Sequence, residues 1–462
     1  MHSDLPSSEF DIAIIGGAAG GVLTALQLLR QATAETRIVM IEPAACLAQG
    51  VAYATHYAEH LLNVSAGRMS AFNDRPGDFV DFLVGEGDSE TPGKISAVYA
   101  ERRRYGAYLR ARLEQARSTA AAHFEVRQDR VTGMQLQDGE WRLPLQSGPF
   151  LLARSVVLAV GNNAKPLPAR NASSLPAGLI SEAWDFDAIK RIPVEADVCI
   201  AGSGLSMVDA ALSLAANGHR GQIHVLSRHA LLPLPHAAGH ALAPINAKSL
   251  EPLSLRARMQ RLRQAADRAQ MQGLPWQAVM EAVRPSVQAL WSSLSLGDQQ
   301  RFLRHGVRYW DVHRHRIAAG VHAQLVRLQA DGQLQLHRGR MDAVAHDGMR
   351  IVVTLSTAET GSREIQVDRV INATGVEMRV AHMRNPVLSD LLQQGLARPG
   401  PHGIGIDTTA EGALVDAHGA AVPDVAVIGS LRIGRLWESI AVPELRGQAE
   451  TAAKQLLFRT RQ

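Results

Sequence analysis

Two glycine-rich segments have residue types suited to binding phosphate. The first, Gly16-Gly17-Ala18-Ala19-Gly20-Gly21, follows the apolar run 11–15, and the second, Gly202-Ser203-Gly204, follows the apolar run 197–201. Glycines at a strand-to-helix turn allow a tight bend and a close approach of the backbone to pyrophosphate. The helix that follows offers unpaired N–H groups to the phosphates. Each segment therefore predicts a dinucleotide site, although glycine-rich turns also occur without a ligand.

The two segments differ in the residues that end the next apolar run. Glu42 ends the run after the first segment, and Ser227-Arg228-His229 ends the run after the second. A carboxylate accepts hydrogen bonds from free ribose hydroxyls and repels a 2′-phosphate. A hydroxyl and a guanidinium bind a 2′-phosphate, which favours NADPH at the second site. The alternative for Arg228 is an ordinary surface arginine. The contrast predicts two different dinucleotides in one chain, with electron transfer between them.

Each glycine segment departs from the G-x-G-x-x-G pattern at one position. Gly16 and Gly21 hold the first and third positions of the first segment, where Ala18 replaces the second glycine. In the second segment Met207 replaces the third glycine. We interpret both as variations that a binding loop tolerates.

The elements around these segments predict an α/β fold with two Rossmann-like βαβ units. One unit covers roughly 11–41 and the other roughly 196–227. Three further apolar runs, 155–160, 368–375 and 424–429, are each followed by or end in a glycine. We predict a discontinuous first domain at 1–165 plus 350–462. The second domain is predicted at 166–349, with a helical insertion at about 240–320 and strands near 321–355.

The composition limits the classes of function. The chain has 462 residues, of which 46% are hydrophobic, enough to form a large core. The net charge of +4 is small for this length, so nucleic acid is not expected as a partner. The two cysteines, Cys46 and Cys199, form no Cys-x-x-Cys, which argues against a dithiol reductase. No segment resembles a membrane span or a secretory signal, so we expect a cytoplasmic protein.

Five longer motifs resemble a bacterial family of FAD/NAD(P)-binding proteins of largely unassigned substrate. That family is distantly similar to lysine and ornithine N-hydroxylases and to flavin monooxygenases. The similarity extends from about residue 10 to 455. It is carried by Gly50-Val-Ala-Tyr53, the run 60–72 (HLLNVSAGRMSAF), the run 202–209 (GSGLSMVD), Asp311-Val-His-Arg-His-Arg316, and the run 437–444 (WESIAVPE).

The resemblance implies FAD in the first domain and NAD(P)H in the second. It places the segment Asn63 to Ser70 along the flavin and Val131 at the adenine. It also places Gly161 and Gly375 where a glycine lets the backbone approach the cofactor, and Gly429 before the last helix. We therefore expect the cofactor-binding residues to be Gly16, Gly17, Ala18, Gly21, Glu42, Gly50, Asn63, Arg68, Met69, Val131, Gly161, Gly202, Gly204, Ser227, Arg228, Gly375 and Gly429.

These expectations point to an FAD-dependent, NADPH-consuming monooxygenase. It would act through a flavin C4a-(hydro)peroxide on a small molecule, with N-hydroxylation favoured and Asn63 and Arg68 as flavin-proximal catalytic candidates. The alternatives are an FAD-dependent reductase or dehydrogenase without oxygen insertion, and a nucleotide-sensing protein without turnover. We expect no metal site, because Arg314 and Arg316 flank His313 and His315, and no Glu accompanies His236 and His240 in a zincin pattern. The sequence favours a basic patch at 311–316 that closes over a phosphate or another domain.

The chain departs from the related proteins at three places. Ser65 stands where that family usually has proline, and Ser430 where many two-dinucleotide flavoproteins have aspartate. The run 161–166 (GNNAKP) lacks the histidine of the Baeyer–Villiger fingerprint, which argues against a ketone-oxidising enzyme.

Overall fold

The structure of the protein is a computed structural model that describes residues 9–88, 90–239, 241–357 and 361–460. His240 lies outside the described residues. The chain divides into two compact units. The first comprises 1–54, 64–163 and 377–462, and the second comprises 55–63 and 164–376. No helix of the described residues has both the length and the apolar character needed to cross a membrane.

The strands lie mostly at the apolar runs of the sequence. In chain order they are β1 (Phe10–Ile15), β2 (Arg37–Ile41), β3 (His123–Arg127), β4 (Gln135–Gln137), β5 (Glu140–Pro144), β6 (Phe150–Leu158), β7 (Asn163–Ala164), β8 (Ile180–Glu182), β9 (Val198–Ala201), β10 (Ile223–Ser227), β11 (Leu334–Arg338), β12 (Arg340–His346), β13 (Ile351–Thr357), β14 (Gly361–Val367), β15 (Arg369–Asn372), β16 (Val376–Glu377), β17 (Ala413–Val415) and β18 (Ala421–Val427).

The helices are longest in the regions rich in Ala, Leu, Arg and Gln. They are α1 (Ala19–Leu29), α2 (Gly50–Tyr53), α3 (Asp78–Gly85), α4 (Pro92–Ala97), α5 (Arg102–Thr119), α6 (Phe186–Lys190), α7 (Leu205–Ala216), α8 (Leu255–Met271), α9 (Gln277–Val283), α10 (Val287–Ser292), α11 (Leu296–Arg301), α12 (Val307–Arg314), α13 (Ala319–Ala330), α14 (Pro386–Gln393), α15 (Ile433–Leu436) and α16 (Val442–Thr460). A π-helical turn, Phe302–Gly306, joins α11 to α12.

The first unit is built on a sheet with the strand order β17-β18-β6-β1-β2-β3. The strands from β18 to β3 pair in parallel, and β17 is antiparallel. β1 is apolar and buried at nearly every position, as expected for a central parallel strand covered on both faces. The carboxyl ends of β1, β2, β6 and β18 meet at one edge, where α1 begins.

The second unit repeats this arrangement with the parallel strand order β11-β10-β9-β15-β8. Cys199 is fully buried in β9. Strands β12, β13 and β14 form a separate antiparallel sheet in the same unit. Helices α8 to α13 lie in sequence between β10 and β11.

Three boundaries differ from those expected from the sequence. Residues 55–63 belong to the second unit and not to the first. Residues 350–376 belong to the second unit, because β15 pairs with β9 and because the Arg350 guanidinium contacts both Asp197 and Asp368. The run 368–375 thus does not return to the first unit. The helical insertion also extends further than expected, since residues 319–330 form α13 rather than a strand.

Candidate dinucleotide-binding sites

A cavity of about 380 Å³ opens at the carboxyl edge of the first sheet. The loops after β1, β2, β6 and β18 line it, together with residues 49–53 and 129–131. Seven residues expected from the sequence lie in its wall: Gly16, Ala18, Glu42, Gly50, Val131, Gly161 and Gly429. The first sheet therefore brings residues from distant parts of the chain to one site.

Gly16 and Gly21 are glycines because the backbone approaches too closely for a side chain. Gly16 has φ +107°, and a Cβ there would lie 2.3 Å from the carbonyl oxygen of Ala159, at the end of β6. A Cβ on Gly21 would lie 1.9 Å from the Gly16 carbonyl oxygen. Gly21 thus lets α1 pack against the loop, which is the role expected of the third glycine.

The Glu42 carboxylate is held by backbone N–H groups. Its Oε2 accepts from Gly17 at 2.7 Å and its Oε1 accepts from Ala44 at 3.0 Å. A carboxylate has about four acceptor positions, so both oxygens retain capacity for ribose hydroxyls. Gly17 is tightly packed here, because a Cβ on it would lie 2.9 Å from the Glu42 Cβ.

The methyl group of Ala18 faces Gly50. A Cβ built on Gly50 would lie 3.0 Å from the Ala18 Cβ, and Gly50 has φ +51°. The alanine at the second glycine position is therefore accommodated by a glycine from the α2 loop. Both residues were expected at the cofactor from the sequence, but the contact between them was not predicted.

Two further loops of the first unit are tied together by a hydroxyl. Ser430 Oγ donates to the Gly161 carbonyl at 3.0 Å, in the place where related flavoproteins have aspartate. The Gly429 N–H donates to the side-chain oxygen of Gln448 at 2.9 Å. The last helix does not follow Gly429 directly, since the turn Gly429–Arg432 and α15 come between.

The catalytic candidates Asn63 and Arg68 line neither this cavity nor the cavity of the second sheet. Arg68 is half-buried and Met69 is buried in the first unit, whereas Asn63 belongs to the second unit. His236 Nε2 donates to the Asn63 carbonyl at 3.1 Å. The pKa of His236 is lowered to about 4, chiefly by burial and then by the Arg316 charge, so the ring is a neutral donor. The roles of Asn63 and Arg68 stay predictions.

The segment 55–63 is held to the second unit by His60, which is fully buried. Its Nδ1 lies 2.7 Å from Thr55 Oγ1, and its Nε2 lies 2.9 Å from the Asp209 carbonyl of α7. Because a carbonyl only accepts, Nε2 carries the proton and Nδ1 accepts from Thr55. His60 therefore has a structural role that the motif at 60–72 did not reveal.

A larger cavity, of about 750 Å³, opens at the carboxyl edge of the second sheet. Five expected residues line it: Gly202, Gly204, Ser227, Arg228 and Gly375. Gly202 has φ +106°, and a Cβ there would lie 2.3 Å from the Ala373 carbonyl oxygen. This contact repeats that of Gly16 with Ala159 in the first unit. The strand-to-glycine pattern therefore occurs in both units, and in each unit it supplies one wall of the cavity.

The second glycine loop differs from the first at Gly204 and Met207. A Cβ on Gly204 would meet nothing within 4 Å, so the loop is open where a phosphate would approach. Met207, at the position of the third glycine, is fully buried.

Ser227 fixes the turn that carries Arg228. Its Oγ accepts the Ala230 N–H at 3.0 Å and lies 2.8 Å from Ser203 Oγ, which also lies 2.7 Å from the Leu231 carbonyl. Arg228 itself is exposed at the cavity, and none of the described carboxylates forms an ion pair with it. The hydroxyl therefore positions the loop, and the guanidinium is the group available to an anion.

The second cavity also contains polar residues that were not among the expected cofactor-binding residues. These are Lys165, Arg308, Asp311, His315 and Arg340. Arg308 and Asp311 belong to α12, and His315 directly follows it. The sequence singles out 311–316 as a motif, but not Arg308. Among the described residues no group of three or more His, Cys, Asp or Glu side chains is arranged to hold a metal.

Comparison with known proteins supports the fold. A family model described as FAD-NAD(P)-binding matches residues 13–163, so this part of the chain is an FAD/NAD(P)-binding domain. No curated protein sequence matches the chain. The predicted resemblance to FAD/NAD(P)-binding proteins is thereby confirmed for the first nucleotide loop and its surroundings.

Solved structures match the whole chain at low sequence identity. An ornithine N-hydroxylase from Kutzneria sp. 744, with reduced FAD, NADP⁺ and L-ornithine, has a TM-score of 0.67 and 15% identity, covering 98% of this chain and 99% of that one. The reduced ornithine hydroxylase from Pseudomonas aeruginosa has a TM-score of 0.68, 14% identity and the same coverage. A bacillithiol disulfide reductase from Staphylococcus aureus has a TM-score of 0.58 and 14% identity, also covering 98% and 99%. The predicted fold, with two dinucleotide-binding domains, is confirmed.

Proposed function

We propose that the protein is an FAD-dependent monooxygenase that consumes NADPH and N-hydroxylates a small amine. The observation that carries this proposal is the opposite chemistry of its two cavities. Glu42 presents a carboxylate in the first, and Arg228 presents a guanidinium in the second. The first suits a ribose with free hydroxyls and the second suits a ribose with a 2′-phosphate.

FAD is assigned to the first cavity. Glu42 would accept from the ribose hydroxyls, and the N-terminus of α1, directly after Ala18, would face the pyrophosphate. Val131, which is buried, would contact the adenine, and the loops at Gly161 and Gly429 would enclose the flavin end. Bound there, FAD supplies the chemistry of accepting hydride and reacting with dioxygen, and the protein supplies binding, orientation and exclusion of water.

NADPH is assigned to the second cavity. The open backbone at Gly204 would accept the pyrophosphate at the N-terminus of α7, and Arg228 would pair with the 2′-phosphate through charge-assisted hydrogen bonds. The volume of about 750 Å³ lies within the usual range for small-molecule sites.

N-hydroxylation is favoured over other oxygenations by the likeness of the fold to the two ornithine hydroxylases over nearly the whole chain. The substrate of this chain is proposed only as a small molecule with a primary amine. A monooxygenase of this type does not require a strong acid or base from the protein, which agrees with the lack of an acid or base among the catalytic candidates Asn63 and Arg68.

The test is a panel of primary amines incubated with the FAD-loaded protein, NADPH and ¹⁸O-labelled dioxygen. We expect one class of amine to stimulate NADPH oxidation and to gain one labelled oxygen atom, detected by mass spectrometry. The Arg228→Ala variant should lose the preference for NADPH over NADH. Oxidation of NADPH with all the oxygen recovered as hydrogen peroxide, whatever the amine, would contradict the proposal.

An FAD-dependent reductase is the second candidate, since the fold also matches a disulfide reductase. Two observations weigh against dithiol exchange in this chain. Cys199 is fully buried, and burial raises the pKa of its thiol to about 12, so it is not a nucleophile. Reduction of a quinone or dye by NADPH, with no oxygenated product, would favour the reductase. Bound FAD that NADPH never reduces would favour a nucleotide-sensing protein.

A further inference from the structure

We infer that Arg308 of the helical insertion binds the 2′-phosphate together with Arg228, so that the insertion takes part in selecting NADPH. The inference rests on the proposed assignment of NADPH to the second cavity. It gives the helical insertion a role in cofactor recognition.

Helix α12 turns one polar face to the cavity. Arg308, Asp311 and Val312 line it, and their spacing of i, i+3 and i+4 places them on one side of the helix. His315, directly after the end of α12, lines the cavity as well. Trp310 is buried on another side, with its ring 6.2 Å from that of Phe302. The helix is thus fixed by aromatic packing while its polar face stays at the cavity.

A π-helical turn at Phe302–Gly306 directly precedes this face. Such a turn contains one residue more than an α-helical turn, and therefore rotates every later side chain about the helix axis. It sets the direction in which Arg308 points relative to Phe302. π-turns are frequent at functional sites, and this one adjoins the cavity-lining residues.

Arg308 lies close to the turn that carries Arg228. The ring of Tyr309 is 5.9 Å from the ring of His229, the residue after Arg228. The pKa of His229 is lowered by burial first, and then by the charges of Arg228, Arg338 and Arg308. Arg228 and Arg308, which line the same cavity, therefore both act electrostatically on the His229 imidazole.

The cavity carries an excess of positive charge that an anion would neutralise. Of the described residues lining it, Asp311 is the only acid, against Lys165, Arg228, Arg308 and Arg340. Asp311 Oδ2 lies 3.3 Å from Arg308, and the two side chains are 29% and 52% exposed. An ion pair this exposed contributes little. A doubly charged phosphate can therefore replace Asp311 as the partner of Arg308.

The experiment is calorimetric titration of the FAD-loaded full chain with adenosine 2′,5′-bisphosphate and with adenosine 5′-monophosphate, which lacks the 2′-phosphate. We expect Arg308→Ala to weaken binding of the bisphosphate by about tenfold, the effect of losing a charged hydrogen bond. Binding of the monophosphate should be unchanged. Asp311→Asn should strengthen binding of the bisphosphate alone, because it removes the competing carboxylate.

Arg304→Ala is the matched control, since Arg304 is exposed one turn earlier and does not line the cavity. Arg308→Gln keeps a polar side chain without the charge and should show the same selective loss, which guards against a misfolded alanine variant. If Arg228→Ala loses the selectivity and neither Arg308 variant does, the inference is wrong while the NADPH site stands. If the wild-type chain binds both ligands equally, the assignment of NADPH is itself wrong.

Discussion

The Glu42 carboxylate accepts the N–H of Gly17 at 2.7 Å, so the acid that directly follows β2 also fixes the glycine loop that follows β1. This bond links the two halves of the first βαβ unit across 25 residues. Glu42 therefore shapes the loop before any ribose is present, which gives its substitution two separate effects on cofactor binding.

We expect Glu42→Ala to weaken FAD binding by about ten- to a hundredfold, because a charged hydrogen bond to the loop and an acceptor for the ribose are lost together. Release of flavin fluorescence on dilution measures the dissociation constant. Glu86→Gln, at an exposed position outside the cavity, is the control. Equal FAD retention in Glu42→Ala and wild type would contradict this role.

The contact between Ala18 and Gly50 predicts a coupled pair of substitutions. Gly50→Ala adds a Cβ 3.0 Å from the Ala18 methyl group and forces alanine to φ +51°. We expect it to lower the free energy of unfolding by about 1–2 kcal/mol from backbone strain, with a further loss from crowding.

The double variant Ala18→Gly, Gly50→Ala separates the two causes. Removing the Ala18 methyl group should relieve the crowding and leave the strain, so the double variant should be more stable than the sum of the single effects predicts. Urea unfolding of the four proteins measures this coupling. Additive effects would show that the two side chains do not meet.

Ser430→Ala is expected to weaken FAD binding by about two- to tenfold, the usual contribution of one neutral hydrogen bond. The variant removes the donor that holds the Gly161 carbonyl. Ser430→Thr, which retains the hydroxyl, should bind FAD more tightly than Ser430→Ala. The prediction fails if all three proteins release FAD at the same concentration.

The histidine pair on β10 and β11 predicts acid sensitivity of the second unit. His224 Nδ1 lies 3.0 Å from His337 Nε2, so one ring donates and the other accepts. Burial first, and then His224 and Arg363, lower the pKa of His337 from 6.5 to about 4. Burial also lowers the pKa of His224, opposed in part by Asp197.

Because His337 takes up its proton near pH 6.5 in the unfolded chain and only near pH 4 in the folded chain, stability decreases as pH falls through that interval. His337→Gln keeps a hydrogen-bonding side chain without this titration. We expect its melting temperature to fall less between pH 7 and pH 5 than that of wild type. His418→Gln, at an exposed site, should follow the wild-type curve; a parallel decline in all three proteins would exclude the pair as the cause.

The sequence determined the local parts of both sites. Glycine patterns, the apolar runs beside them and the residues that end β2 and β10 are set within about 30 residues, where strand and helix periodicity is informative. Glu42, Arg228, Gly16, Gly202 and Gly204 were identified in this way, whereas Gly50, Gly161, Gly375 and Gly429 were expected from the family resemblance. Ala18 and Met207 were also identified as departures, without the contacts that accommodate them.

Only the tertiary structure decided which distant segments complete each site. The runs 155–160 and 368–375 are alike in sequence, and either would fit a buried parallel strand. Pairing placed one beside β1 and the other beside β9, which moved Gly375 from the first unit to the second. Arg308 gave no signal along the chain, because it is recognisable as a cavity residue only once folding brings it beside the turn after β10. Short-range patterns reflect backbone preference, whereas the choice of partner depends on packing between residues far apart in sequence.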